Sequence, residues 1–199
     1  VELGVQILDD DVLDKVKRGH GVSEVVKATE CCRNHGLKIC YHLMPGLPGS
    51  SPENDYRCFK RMFDDPDFRP DMLKFYPTLV VGDTELHRMW EAGEYRPLDT
   101  DVAVELLSKM KAYVPDYVRI QRIQRDIPVP EITAGILKSN LRQLVQADMK
   151  RKGLRCRCIR CREVGHTGEV LDDPSEVRLG VEEYEANGGK ERLSLIHIS

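Results

Sequence analysis

The sequence predicts an α/β fold of parallel strands joined by helical crossovers, read as the back half of a barrel or open α/β sheet. Two observations predict it. Strand-like runs at 1–6, 37–44 and 72–81 alternate with helical stretches long enough to serve as right-handed crossovers. Glycine, proline and capping residues punctuate the junctions where such elements change over. Three strands are too few to close a domain of this kind, so part of one is expected.

The elements follow in order. Residues 1–6 read as a strand, and the chain opens inside its apolar run, as though cut there, because natural ends are usually exposed. Residues 9–18 and 23–35 read as helices, the second with Val25, Val26, Ala28 and Thr29 on its apolar face and Gly36 as its stop. Residues 37–44 are rich in sheet formers, and Pro45-Gly46-Leu47-Pro48-Gly49 turns the chain. Ser51 caps the next helix with Pro52 at its first position. Residues 72–81 make a third strand interrupted by Pro77, and helices follow at 83–92 and 100–112. A further strand is expected at 118–124, then a basic helix capped by Ser139-Asn140, running to Lys152 and ended by Gly153. After a cysteine-rich loop and an acidic linker around Asp172, a strand candidate spans 177–185 and Asn187-Gly188-Gly189 signals a hairpin.

Composition excludes several classes. At 199 residues and 41% hydrophobic content there is material for a core, and 32% charged residues do not point to wholesale disorder. No apolar run approaches the roughly 18 residues of a membrane helix. Seven cysteines, three of them within six positions, favour a reducing, cytoplasmic compartment with a metal site over a secreted disulfide framework. The net charge of -3 hides a basic stretch from Arg119 to Arg162 set in an otherwise acidic chain. That segregation suits a surface facing a polyanion, or a solvated helix face.

The most specific motif is Cys156-Arg157-Cys158-Ile159-Arg160-Cys161. Three thiolates on a short loop can converge on one point, and zinc takes soft or borderline ligands in a tetrahedron. The surrounding arginines favour the deprotonated, metal-binding thiols. His166 is the nearest candidate for a fourth ligand, although ligands also come from distant sequence, and a closed four-ligand site would be structural. An accidental cluster or a redox-reactive group is the alternative. Cys31, Cys32, Cys40 and Cys58 read as small hydrophobes.

Weaker signals sit in the first half. Gly46 to Gly49 lies between strand and helix, where α/β proteins bind ligands, but the glycines and prolines also serve the turn alone. Gln6 and His42 fall near strand ends, the mouth of a barrel. A lone strand histidine is either a ligand or a satisfied structural residue. Arg18 with His20 can grip a carboxylate or phosphate, or belong to a solvated loop.

Together GVQ at 4–6, RGH at 18–20, CYHLMPGLPGS at 40–50, DFRPDMLKFYPTLVV at 67–81, RIQRDIP at 122–128, SNLRQL at 139–144 and CRCIRCREVGH at 156–166 resemble the catalytic subunit of Elongator in its archaeal or bacterial form. The resemblance runs from Val1 to about Arg192. It implies residues 1–115 as the C-terminal half of a radical S-adenosylmethionine (SAM) barrel and 116–170 as a basic linker with a zinc-binding cysteine loop. Residues 171–192 would then open an acetyltransferase domain of the GNAT type. Residues 193–199 back-translate to a sequence resembling the transposon-end adapter of sequencing libraries and are read as an artefact, so His197 carries no weight.

The resemblance further implies a 4Fe-4S cluster that cleaves SAM, a radical drawn from acetyl-CoA, and 5-carboxymethyluridine as product at the tRNA wobble position. Gln6 and Arg18 match the family's positions for the nucleoside and the methionine carboxylate. His42 stands where related barrels often carry an aspartate for the ribose. Cluster ligands are expected upstream and the acetyl-CoA pocket downstream, so the chain by itself would be inactive. The basic residues Arg119, Arg122, Arg125, Lys138, Arg142, Lys150, Arg151, Lys152, Arg155, Arg157 and Arg160 would track tRNA phosphates. Partners would be tRNA, acetyl-CoA, and either a second copy or Elongator-like subunits. Two readings compete: another radical SAM enzyme, and a zinc-stabilised RNA-binding or assembly module without radical chemistry.

Overall fold

The computed structural model describes residues 1–124, 127–168, 175 and 177–198. Four parallel strands, β1 (Glu2–Gln6), β2 (Cys40–Leu43), β3 (Met72–Phe75) and β5 (Arg119–Ile123), form one sheet in the order β1-β2-β3-β5. The register sets Glu2 beside Cys40, Cys40 beside Met72 and Met72 beside Arg119. Between them run α1 (Asp10–Lys15), α2 (Val22–Asn34), α3 (Pro52–Asp64), α4 (Glu85–Glu91) and α5 (Thr100–Tyr113).

Alternation along each strand splits the sheet into two faces. Val5, Tyr41, Leu43, Leu73, Phe75 and Ile120 are buried in the core with Val12 and Leu13 of α1, Phe59 and Met62 of α3, and Leu107 and Met110 of α5. Each large apolar side chain so buried contributes about 1.5–3 kcal/mol. The opposite face carries Glu2, Gly4, Cys40, His42, Met72, Lys74 and Gln121, a polar surface unlike a packing face. An irregularity after Leu3 instead pairs Gln6 with Leu43, and Gln6 lines a small cavity with Leu43, Asp55 and Met62.

Several boundaries differ from the sequence reading. The helix expected over 9–18 stops at Lys15, because Lys17 takes a left-handed backbone (φ 54°) before Gly19. The second strand begins at Cys40 because Leu37 still belongs to the end of α2, its N–H donating to Cys32 O at 3.0 Å. The run 72–81 is two strands: it breaks around Pro77, and β4 (Val80–Val81) leaves the sheet to pair antiparallel with β6 (Ile132–Ala134). Ser51 caps α3 as read, its hydroxyl accepting from Asn54 N–H at 3.2 Å.

The basic helix is α6 (Leu141–Arg151), preceded by Asn140, whose side chain makes no capping bond. It is held by burial of Leu141, Val145 and Met149. Two single turns, α7 (Ile159–Arg162) and α8 (Val164–Thr167), follow the cysteine loop. β7 (Val177–Ala186) and β8 (Gly189–Ile198) form an antiparallel hairpin. Asn187 and Gly188 are both left-handed at its tip (φ 48° and 72°), the backbone that a two-residue turn demands.

The hairpin docks on the α/β unit. Asn187 N–H and Nδ2 donate to Pro66 O and Asp67 O, and Tyr184 stacks on Tyr117 with centroids 3.7 Å apart. The expected acidic linker around Asp172 lies outside the described residues. Among the described residues no helix is long and apolar enough to cross a membrane.

Candidate functional sites: the polar sheet face and a cysteine centre

Gln6 ends β1 with φ 65°, its carbonyl accepting from Met44 N–H at 2.9 Å. Its side-chain Oε1 is buried, with no hydrogen-bond partner among the described residues. A buried amide oxygen without a donor is costly, and a ligand N–H or O–H would satisfy it. Arg18 lies against the same strand, Nη2 and Nε donating to Gly4 O at 2.9 and 3.3 Å. A Cβ at position 4 would collide with its guanidinium, so Gly4 makes room for it. The fork expected to hold a carboxylate rests here on a backbone carbonyl.

His42, on the neighbouring strand, has Nε2 at 2.8 Å from Glu2 Oε2 and its ring edge-on to Tyr76. Lys74 of β3 also donates to Glu2, and that hydrogen bond is the main reason the Glu2 carboxyl sits below the usual carboxylate range. Three adjacent strands therefore present a carboxylate, an imidazole and an ammonium on one face.

The turn after β2 has a hidden support. Asp55, buried on α3, accepts from Gly46 N–H at 2.7 Å and Ser50 Oγ at 2.6 Å, while Tyr95 Oη donates to Gly46 O at 2.6 Å. Burial pushes the Asp55 carboxyl up to about 6. Sequence reasoning missed Asp55; the available signal was an acid just inside a helix that follows a glycine turn.

The cysteine loop converges as its spacing predicts. The Sγ atoms of Cys156, Cys158 and Cys161 all lie within 4.8 Å of one another. Ile159 N–H donates to Val118 O at 2.9 Å, tying the loop to the start of β5, and Cys161 N–H donates to Cys158 O at 3.0 Å. Hydrogen bonds from Cys156 and Cys161 hold the buried Cys158 thiol far below the usual thiol range. Zinc–sulfur bonds of about 2.3 Å fit such a donor set. His166 stays outside the sulfur triangle. It is exposed, with Nε2 at 3.6 Å from Glu163 Oε2.

The basic residues divide by environment. Arg119 Nη2 donates to both carboxylate oxygens of Glu163 at 2.9 and 3.1 Å, Arg157 pairs with Asp116 at 3.1 Å, and Arg151 and Lys152 both pair with Asp148 at 2.5 and 2.8 Å. Arg142 is half-buried and donates to Gln121 O, so it turns inward rather than to a phosphate. Arg122, Lys138, Lys150 and Arg155 are exposed and Arg160 half-exposed; Arg125 lies outside the described residues. Lys150, Arg155, Arg157 and Arg162 line an open cleft of about 1120 Å³ beside the cysteine loop.

Residues 1–57 match the model of the Radical SAM superfamily and residues 70–151 that of the Radical_SAM C-terminal domain. The chain belongs to the radical SAM superfamily. Its relatives narrow the branch. A tRNA uridine(34) acetyltransferase of Methanocaldococcus infernus is 52% identical over 194 residues, 96% of this chain and 36% of that protein. Its counterpart in Dehalococcoides mccartyi is 50% identical, across 96% of this chain and 41% of that one. Elongator complex protein 3 of Saccharomyces cerevisiae is 43% identical, across 96% and 34%. The solved structure of archaeal Methanocaldococcus infernus Elp3 with an N-terminal deletion superposes at TM-score 0.94 and 50% identity, covering 100% of this chain and 47% of that one. The radical SAM chain thus spans little more than a third of the curated relatives it matches.

Proposed function

We propose that this chain is part of an acyltransferase that uses radical SAM chemistry and acetyl-CoA to form 5-carboxymethyluridine at the tRNA wobble position. The observation that carries the reading is the superposition of the whole chain on an archaeal Elp3 at 50% identity. The relatives named tRNA uridine(34) acetyltransferase point to the same substrate. SAM held beside a 4Fe-4S cluster would supply the radical. We assign the cluster's ligands and the acetyl-CoA pocket to none of the residues here.

This chain's own contribution is a polar wall. Gln6, at the end of β1, offers its buried oxygen to a donor on the nucleoside, and His42, fixed by Glu2 on the polar face, is assigned to the ribose. Arg18 must exchange Gly4 O for the methionine carboxylate, a charge-assisted bond stronger than the one it leaves. The apolar opposite face keeps the wall rigid, which positioning requires.

Residues 116–170 act as the tRNA-facing linker. Zinc on Cys156, Cys158 and Cys161 stiffens the loop, and His166 becomes the fourth ligand only by leaving Glu163. Exposed Lys138, Lys150 and Arg155 meet phosphates directly, with Arg122 exposed on the same stretch, whereas Arg119, Arg151, Lys152 and Arg157 first give up carboxylates. The hairpin of β7 and β8 opens the acetyltransferase-type domain; its second strand runs on through 193–198, which pair with 177–182.

The test is a chimera in which this chain replaces its counterpart in the Methanocaldococcus infernus relative. Under anaerobic reducing conditions it should convert SAM to 5'-deoxyadenosine. Gln6→Ala should slow that conversion about tenfold, the worth of one buried hydrogen bond. A chimera that folds but leaves SAM intact refutes the reading in favour of a zinc-stabilised RNA-binding module.

A further inference from the structure

We propose that Lys111 is the counter-cation of the Cys156–Cys158–Cys161 metal centre, holding the thiolates in place by charge and by an N–H···S bond to Cys161. This deepens the reading that the three cysteines bind zinc and rests on it. Lys111, on α5, is completely buried, at 0% exposure. Lysine is almost never fully buried without an anionic partner.

Among the described residues no carboxylate pairs with Lys111. Its Nζ lies 3.8 Å from Cys161 Sγ, in hydrogen-bonding range of a sulfur acceptor. The contrast is on the same helix: Lys109 is exposed and pairs with Glu105 at 2.7 Å. The sequence therefore spends one lysine on solvent and buries the next against the cysteine loop.

Arg142 on α6 is half-buried and donates to Gln121 O; burial and Arg160 lower its pKa, so the charge on the centre falls to Lys111. Charge arithmetic makes the arrangement sensible. Three thiolates and one Zn²⁺ leave a net charge of about -1 in a poorly solvated loop, which one buried ammonium neutralises. Groups that hydrogen-bond to metal ligands fix ligand orientation and metal affinity. Lys111 is thus a positioning residue, acting on the metal through Cys161.

The experiment uses the full 199-residue chain loaded with zinc and follows transfer of the metal to a chromogenic chelator. Lys111→Met should release zinc at least about tenfold faster than the parent, and Lys111→Arg, which keeps the charge, within about threefold. Melting separates this role from packing: Lys111→Met should lower the transition of the zinc-loaded form more than that of the chelated form. Equal release rates, or equal losses in both forms, overturn the proposal. If Lys111→Met does not fold, Lys111→Gln carries the same assay; unchanged release there overturns it. A parent chain that takes up no zinc refutes the metal reading itself, a result distinct from a parent and a Lys111→Met variant that hold zinc equally.

Discussion

Asp55 shows how much one side chain can hide. Nothing in the sequence marks it beyond a position inside a helix, yet it holds both ends of the Gly46–Ser50 turn. Its folded-state carboxyl is raised by burial to about 6 from 3.8. A raised carboxyl stabilises the fold most below its unfolded value, and that contribution is lost as pH climbs through about 6. The parent should therefore lose stability relative to Asp55→Asn between pH 4 and 7, by on the order of 3 kcal/mol. Thermal melts of both chains across that range check this; a constant offset would show that Asp55 does not titrate there. The cysteines, by contrast, were legible, because ligand spacing is local. Lys111 was not: on a helix that reads as amphipathic it resembles Lys109, and only the loop that folds over it distinguishes the two.

Elements were legible where periodicity and caps agreed, and shifted where tertiary pairing decided. α3 announces itself by Ser51-Pro52, and the Asn187-Gly188 turn by its composition. The break at Pro77 was visible, but the departure of β4 to join β6 was not, since antiparallel pairing across some fifty residues leaves no local trace. The turn after β2 also depends on packing. Gly46 is left-handed (φ 82°), and a Cβ there would lie 2.7 Å from Leu98 Cγ. Gly36 is left-handed too (φ 68°) with open space around it. Gly36→Ala should cost about 1 kcal/mol and Gly46→Ala about 2 kcal/mol or more, the excess being the clash. Urea denaturation measures both; equal costs would mean that Leu98 moves aside freely.

At the scale of the whole molecule, a sheet with one apolar and one polar face was only half legible. The strand runs and crossovers set the α/β order, but which residues share the polar face depended on the register among β1, β2 and β3. The charge segregation was readable, while the division of its cations between carboxylate partners and solvent was not. Binding of tRNA to this chain should weaken steeply with salt, and replacing Lys138, Lys150 and Arg155 by glutamine should lower the log–log slope by about 2–3. Gel-shift titrations at several salt concentrations read that slope; a slope unchanged by the triple substitution would move the RNA surface elsewhere.

The most direct measurement of the central claim is nucleoside mass spectrometry of tRNA incubated anaerobically with the Methanocaldococcus infernus chimera, SAM and acetyl-CoA. The account predicts 5-carboxymethyluridine at position 34, dependent on Gln6. A chimera that folds and binds tRNA yet leaves uridine 34 unmodified would contradict it.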